Sequence, residues 1–211
     1  NAREAHVYTH RPIDEALDEA ASLTEGPVIL LDHADNCGSG ATQDVMRVIE
    51  AVHRHRLEDV IVAALWDPDA VAHMMAAGIG AELEVTLGGN TDMPSIELAA
   101  RPLTLRGRVR TLTDGRWIVR GPMYTGVQVD MGPSAVLDTG RMQLVLVSRH
   151  IEPWDLGVFT SMGITPEHHR YILLKSRIHY RAGFGPLARH TLTLDGEGVT
   201  TSDNNLLNYQ R

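Results

Sequence analysis

The densest group of chemistry-bearing side chains lies in nine consecutive residues, Asp32-His33-Ala34-Asp35-Asn36-Cys37-Gly38-Ser39-Gly40. They follow the apolar run Val28-Ile29-Leu30-Leu31 and precede a helical pattern, which is where open α/β sheets bind ligands, beyond the carboxyl ends of their strands. The glycines let backbone approach a ligand, and the helix that follows offers unpaired N–H groups. Gln43 stands where the third glycine of a dinucleotide fingerprint would be, and the Gly-Lys-Ser/Thr ending of a phosphate loop is missing. The same residues would also make a purely structural polar turn, with Asp and Asn side chains holding their own backbone. Asp32, His33 and Asp35 are of types that suit zinc or a harder ion. Three ligands within four residues reach one ion only if the loop folds sharply, and no second cluster supplies more. His53 and His55 point to opposite sides of a helix, and His168-His169 fall in a turn, so the histidines read as scattered. Cys37, just before a helix start, is of the type that becomes a nucleophile when its pKa falls, although no oxyanion hole or third catalytic member is visible around it.

A second group is Lys175-Ser176-Arg177-Ile178-His179, at the end of the apolar run Tyr171–Leu174. Lys175 is the only lysine among 19 basic residues, a compact ammonium kept where arginine serves everywhere else. It could meet a substrate carboxylate, or form a buried structural ion pair with Asp32 or Asp35.

The elements that must position these groups follow from periodicity. Ile13, Ala16, Leu17, Ala20 and Ala21 predict a helix from Pro12 to Leu23, ended by Gly26-Pro27. Val28–Leu31 and Val60–Leu65 predict buried strands; Thr42 is expected to cap a helix to about Arg56, and Asp67-Pro68 to open one that Gly78 ends. Such β–α–β–α units imply parallel strands with helices on the faces. From Ala81 the texture changes, with strands expected at 81–87, 96–112, 116–119, 127–130 and 142–147, and a hairpin turn at Thr113-Asp114-Gly115-Arg116. Glu152–Met162 and Tyr180–Ala188 read as helices around a short strand at Tyr171–Leu174, and Gly88-Gly89-Asn90 and Gly121-Pro122-Met123 as simple turns. The fold class is therefore α/β, a mainly parallel sheet flanked by helices with an additional antiparallel β region, in one compact domain.

Apolar residues at 43% and charged residues at 22% suit a globular core, and no apolar run is long enough to span a membrane. A formal net charge of −8 argues against a nucleic-acid partner, since the arginines at 101, 106, 108 and 110 alternate with apolar residues as the wet face of a strand. One cysteine rules out an internal disulfide and is in keeping with a cytoplasmic protein.

Taken in order, DHADNCGSGATQD, ALWDPDAVAHMMAAGIGAELEVTLGGN, GPMYTG, MGPSAVLDTGRMQLVLVSRHIEPWD and GITPEHHRYILLKSRIHYRAGFGPLA resemble the C-terminal domain of the MlrC-like family, named for microcystin degradation and classed among zinc metallopeptidases. The resemblance implies an N-terminal extension and first helix at 1–26, the MlrC-like α/β domain at 27–190 and a truncated tail at 191–211. It also implies a bacterial-type enzyme whose zinc ligands and catalytic acid–base lie in an N-terminal domain absent from this chain. That absent domain is the expected partner, with a peptide or small amide as substrate, and homo-oligomerisation is left open. Here no cofactor, metal ligand or catalytic residue is expected. Asp35, Asn36, Gly38, Ser39 and Gly40 would face the zinc domain as substrate-binding residues, joined by Lys175, Ser176 and His179. Cys37 departs from the Pro or small residue usual there, and the chain stops at Asn208-Tyr209-Gln210-Arg211, short of a Pro-rich ending. Two rival readings are a non-catalytic ligand-binding or regulatory module, and a cysteine hydrolase acting through Cys37.

Overall fold

Two layers of helix and ribbon enclose one eight-stranded sheet in the computed structural model, which describes residues 8–207. The chain starts with helix α1 (Ile13–Ser22), then strand β1 (Val28–Asp32), helix α2 (Arg47–Arg54), strand β2 (Val60–Trp66) and helix α3 (Pro68–Ala77). Strands β3 (Glu82–Leu87) and β4 (Leu103–Thr113) follow, then a ribbon of β5 (Arg116–Ile118) and β6 (Gln128–Asp130). Next come β7 (Ser134–Asp138), β8 (Met142–Val147), the short helix α4 (Gly157–Thr160), β9 (Tyr171–Leu174), the short helix α5 (Tyr180–Gly183) and β10 (His190–Leu194). The sheet order is β10-β1-β9-β2-β8-β7-β4-β3. The first five strands are parallel, and β7, β4 and β3 extend them antiparallel. This is the expected α/β class, mainly parallel with an antiparallel region.

Period-two burial divides the core. Leu30, Val62, Leu144 and Leu173 face α1, α2 and α3, while Ile29, Ile61, Val145 and Ile172 face the ribbon and the two short helices. Asp67 caps α3 as expected, its Oδ1 accepting from Ala70 N at 2.9 Å. Among the described residues no helix is long and apolar enough to cross a membrane.

Several expectations need correction. Thr42 caps nothing: its hydroxyl donates to Asp35 Oδ1, and α2 begins only at Arg47, because residues 42–45 wrap their backbone around Asp35. The segment 152–162 is helical only at Gly157–Thr160, since Asp155 accepts from both Gly121 N and Gly157 N and turns the chain there. Helix α5 ends at Gly183, and a short 3₁₀ turn at Pro94–Ile96 precedes the strand that was expected to start at 96. Thr113–Arg116 does not close a hairpin between its neighbours; it hands the chain from the sheet to the ribbon, with Met131 N donating to Gly115 O. Strands β7 and β10 had no prediction, and β10 pairs with β1 along its whole length. Residues 1–7 of the expected extension, and the ending Asn208–Arg211, lie outside the described residues.

The ribbon is seated through one close approach: a Cβ on Gly157 would overlap the Trp117 ring. Gly→Ala within a helix ordinarily stabilises by about 0.5–1 kcal/mol. Here Gly157→Ala is expected to lose about 1–3 kcal/mol by overpacking, measured by urea unfolding. A variant at least as stable as the parent would contradict the packing.

Candidate functional site

Polar side chains are buried almost entirely on one side of the molecule. Asp32, Asp35, Asn36, Gln43, Asp44, Asp67, Glu152, Asp155, Lys175, Ser176, Asp195 and Thr200 are buried, and all lie at or beyond the carboxyl ends of parallel strands. Ser134 joins them because β7 runs antiparallel to β8, which sets its first residue beside Val147.

At the centre stands Lys175, wholly buried at the end of β9. Its Nζ donates to Asp35 Oδ2 at 2.7 Å, Asp32 Oδ2 at 3.0 Å and Val45 O at 2.6 Å, using all three ammonium protons. Burial opposes the charge, yet Asp32 and Asp35 together hold the ammonium above its ordinary range. One cation faces two carboxylates, and burial raises both of them against the pull of Lys175, pushing Asp35 up to about 6. Asp35 also accepts from Gln43 N at 2.7 Å and Val45 N at 2.9 Å.

The loop after β1 is held from outside as well. Gln43, at φ 61°, exchanges bonds with the backbone of Ile151, and Thr200 bonds Ala34 O and Asn36 N. Gly88-Gly89-Asn90 is more than a turn: Gly88 N donates to Asp67 Oδ2, Asn90 N to Asp44 Oδ2 and Gly89 N to Asp44 O. The turn thereby clamps the ends of β1 and β2. Beyond the α3 cap, no spacing rule pointed to these contacts of Gln43, Asp44 and Asp67, whose partners are distant in sequence.

The rest of the motif faces solvent. Asn36 Oδ1 accepts from Gly38 N at 3.0 Å and its Nδ2 donates to Ser39 Oγ at 3.1 Å, which presents Gly38, Ser39 and Gly40 on an exposed turn. Beside them, Glu152 bridges the second motif: Ser176 Oγ donates to its Oε1 at 2.9 Å, and His179 Nδ1 lies 2.8 Å from its Oε2. Glu152 was not singled out in sequence; a carboxylate between Ile151 and Pro153, after the buried strand β8, was the available signal. The sequence candidates thus divide. Asp35, Asn36, Lys175 and Ser176 form the buried support, whereas Gly38, Ser39, Gly40 and His179 are exposed.

Asp32, His33 and Asp35 do not converge on one ion. Both aspartates are committed to Lys175, while His33 turns toward Asp195, 3.9 Å away, and burial keeps its pKa below the usual value. Among the described residues no group of three or more His, Cys, Asp or Glu side chains is placed to hold a metal, so this donor set does not fit zinc. Cys37 is no activated thiol, since burial, Glu152 and Asp35 push it up to about 12. On the ribbon side of the sheet, a cleft of about 950 Å³ opens between Trp117, Pro122, Asp155, Leu156, Ala182 and Leu187. Its volume falls within the range of small-ligand pockets.

With this geometry in place, three comparisons bear on identity. The family model described as MlrC C-terminus matches residues 30–211. Microcystinase C of Sphingomonas sp is 27% identical over 176 residues, which cover 83% of this chain and 33% of that protein. The crystal structure of a protein described as "Putative metallopeptidase" from Mesorhizobium sp. BNC1 has a TM-score of 0.84 at 23% identity, covering 99% of this chain and 41% of that one. The last comparison establishes the fold. The chain spans about a third of the curated relative's length and about two fifths of the solved one's.

Two outcomes test the site. Lys175→Met removes the cation from two buried carboxylates and is expected to cost about 3–5 kcal/mol in denaturant unfolding; a loss under 1 kcal/mol would show the carboxylates to be otherwise compensated. Iodoacetamide at pH 8 is expected to label Cys37 at a tenth or less of the rate of a free thiol, and labelling as fast as glutathione would return Cys37 as a nucleophile.

Proposed function

The chain belongs to the MlrC C-terminus family, and from that premise we propose that it forms the substrate-cleft wall of a larger metal-dependent peptidase or amide hydrolase. The observation that carries this reading is the sorting of one strand-end motif into a rigid buried layer and an exposed rim. The ion triad, Gln43 and the 88–90 clamp fix the loop, and Gly38, Ser39, Gly40 and His179 are exposed at its rim. Binding contacts held that firmly can contribute much of the rate by orienting a substrate.

The names of the relatives support peptide or amide hydrolysis, since one is a microcystinase and another is described as a metallopeptidase. We assign zinc, and the carbonyl polarisation and water activation it supplies, to the part of the protein that these relatives have beyond the region aligned here. That part would pack against the rim and close the cleft. The substrate we assign is a peptide or small amide, its apolar portion lying toward the cleft lined by Trp117, Leu156 and Leu187.

The test uses the full-length protein that carries this chain, screened by mass spectrometry against linear and cyclic peptides and simple amides. Turnover of at least one class is expected, and in Ser39→Trp the KM for that substrate is expected to rise tenfold or more with an unchanged unfolding midpoint. An unaltered KM would remove the rim from the substrate path. A metal-loaded protein that binds library members and hydrolyses none would instead favour a ligand-binding or regulatory module.

A further inference from the structure

We propose that His179 is a catalytic residue of that hydrolysis, a proton shuttle to the leaving nitrogen, and that Glu152 and Ser176 are the residues that position it. The inference rests on the hydrolase reading above. It adds an acid–base group from this domain to the chemistry that the family resemblance places elsewhere.

The geometry is specific. Nδ1 of His179 is 2.8 Å from Glu152 Oε2, and because a carboxylate only accepts, that nitrogen carries the proton. Nε2 is left with its lone pair and has no hydrogen-bond partner among the described residues, on a side chain 51% exposed. Ordinary surface pairs of this kind contribute little. This one differs because its acid is buried at 8% exposure and its second oxygen is taken by the wholly buried Ser176 hydroxyl. Gly38 presses on the same carboxylate so closely that a Cβ there would overlap Oε2. Glu152 is thus held by Ser176 on one oxygen and closely approached by Gly38 at the other, and Nε2 is the ring nitrogen left without a partner among the described residues.

The order of contacts also decides the chemistry. Ser176 Oγ donates to Glu152 and not to a histidine, so no base is set to activate the serine as a nucleophile. The Cys37 thiol is held protonated next to the same carboxylate. What remains is proton transfer. Once the hydrolytic water oxygen has bonded to the carbonyl carbon, Nε2 takes a proton from that oxygen, and Glu152 stabilises the imidazolium that forms. The C–N bond then breaks with its electron pair on nitrogen, and Nε2 delivers that same proton to it. Water is consumed, acid and amine are released, and the imidazole ends as it began. The charged group in contact with it is Glu152, from the segment after β8; Arg177 and Arg181 flank it in sequence, the first bonded to Thr200 O and Ser202 Oγ and the second over the Tyr180 ring.

The experiment uses the full-length protein and a substrate from the screen above. His179→Gln and His179→Asn are expected to lower kcat on an alkyl amide by about 10²–10⁴-fold with KM within threefold. On an activated nitroanilide, whose amine leaves with little help from a proton, the loss is expected to shrink below tenfold. Glu152→Gln, whose amide oxygen can still accept from Nδ1, is expected to retain more of kcat than Glu152→Ala. A kcat within threefold of the parent, or equal losses on both leaving groups, would overturn the shuttle. If the full-length protein hydrolyses nothing, the hydrolase reading fails instead. Ring nitrogen chemical shifts of His179 in this chain then still decide whether Glu152 sets its tautomer, and an Nδ1–H tautomer unchanged in Glu152→Ala would end that role too.

Discussion

Three charges lie buried together at the end of the sheet: Lys175 between Asp32 and Asp35, with no exposed surface on any of them. Bringing them there is costly, and each proton and lone pair that finds a partner offsets part of that cost. Lys175 uses all three of its protons, since Val45 O takes the third, while Asp32 Oδ1 stays buried without a partner. The consequences spread through the fold. Strands β1 and β9 are tied at their carboxyl ends, residues 42–45 are drawn in as further donors, and α2 starts at Arg47 rather than at the threonine that could have capped it. Arginine would bring a planar fork of five donors to a site whose three acceptors meet a compact ammonium. That gives the lone lysine of an arginine-rich chain a physical reason.

Sequence periodicity revealed the elements whose burial is one-sided or complete over several residues, namely α1, β1, β2, α3 and β9. It failed where a tertiary partner outbid local preference. Asp35 took the backbone of 42–45, and Asp155 turned the chain inside an expected helix. Strand β7, only five residues after Gly132-Pro133, is too short to show a period, and β10 was passed over as tail although His190-Thr191-Leu192-Thr193-Leu194 alternates. For the site, residue types gave the two motifs and even the buried ion-pair alternative for Lys175. They could not show which members would be covered. Glu152, the residue that joins the second motif to the first, sits in a stretch whose local pattern reads as helix.

That covering has a logic of its own. The clamps on the β1 loop come from three separate places, the 88–90 turn, the start of the α4 segment and Thr200 after β10. A loop restrained from three sides loses little further entropy when something binds to it, and the ordering has already occurred in folding. The exposed Gly38–Gly40 turn is thus a rigid platform even though it is built of small residues.

Burial also separates two kinds of carboxylate in one neighbourhood. Asp32 and Asp35 share a single cation, and the field there is spent internally, on a lysine that reaches no solvent. Glu152 is nearly as buried, but it is neutralised by no cation of its own; its partners are a hydroxyl and an imidazole whose ring is half exposed. Besides the neutral Cys37 thiol, the group its negative charge meets at the surface is the His179 ring. The arrangement converts a buried charge into a property of a surface atom, which is what a site needs when the group that meets the substrate must be both accessible and fixed in orientation.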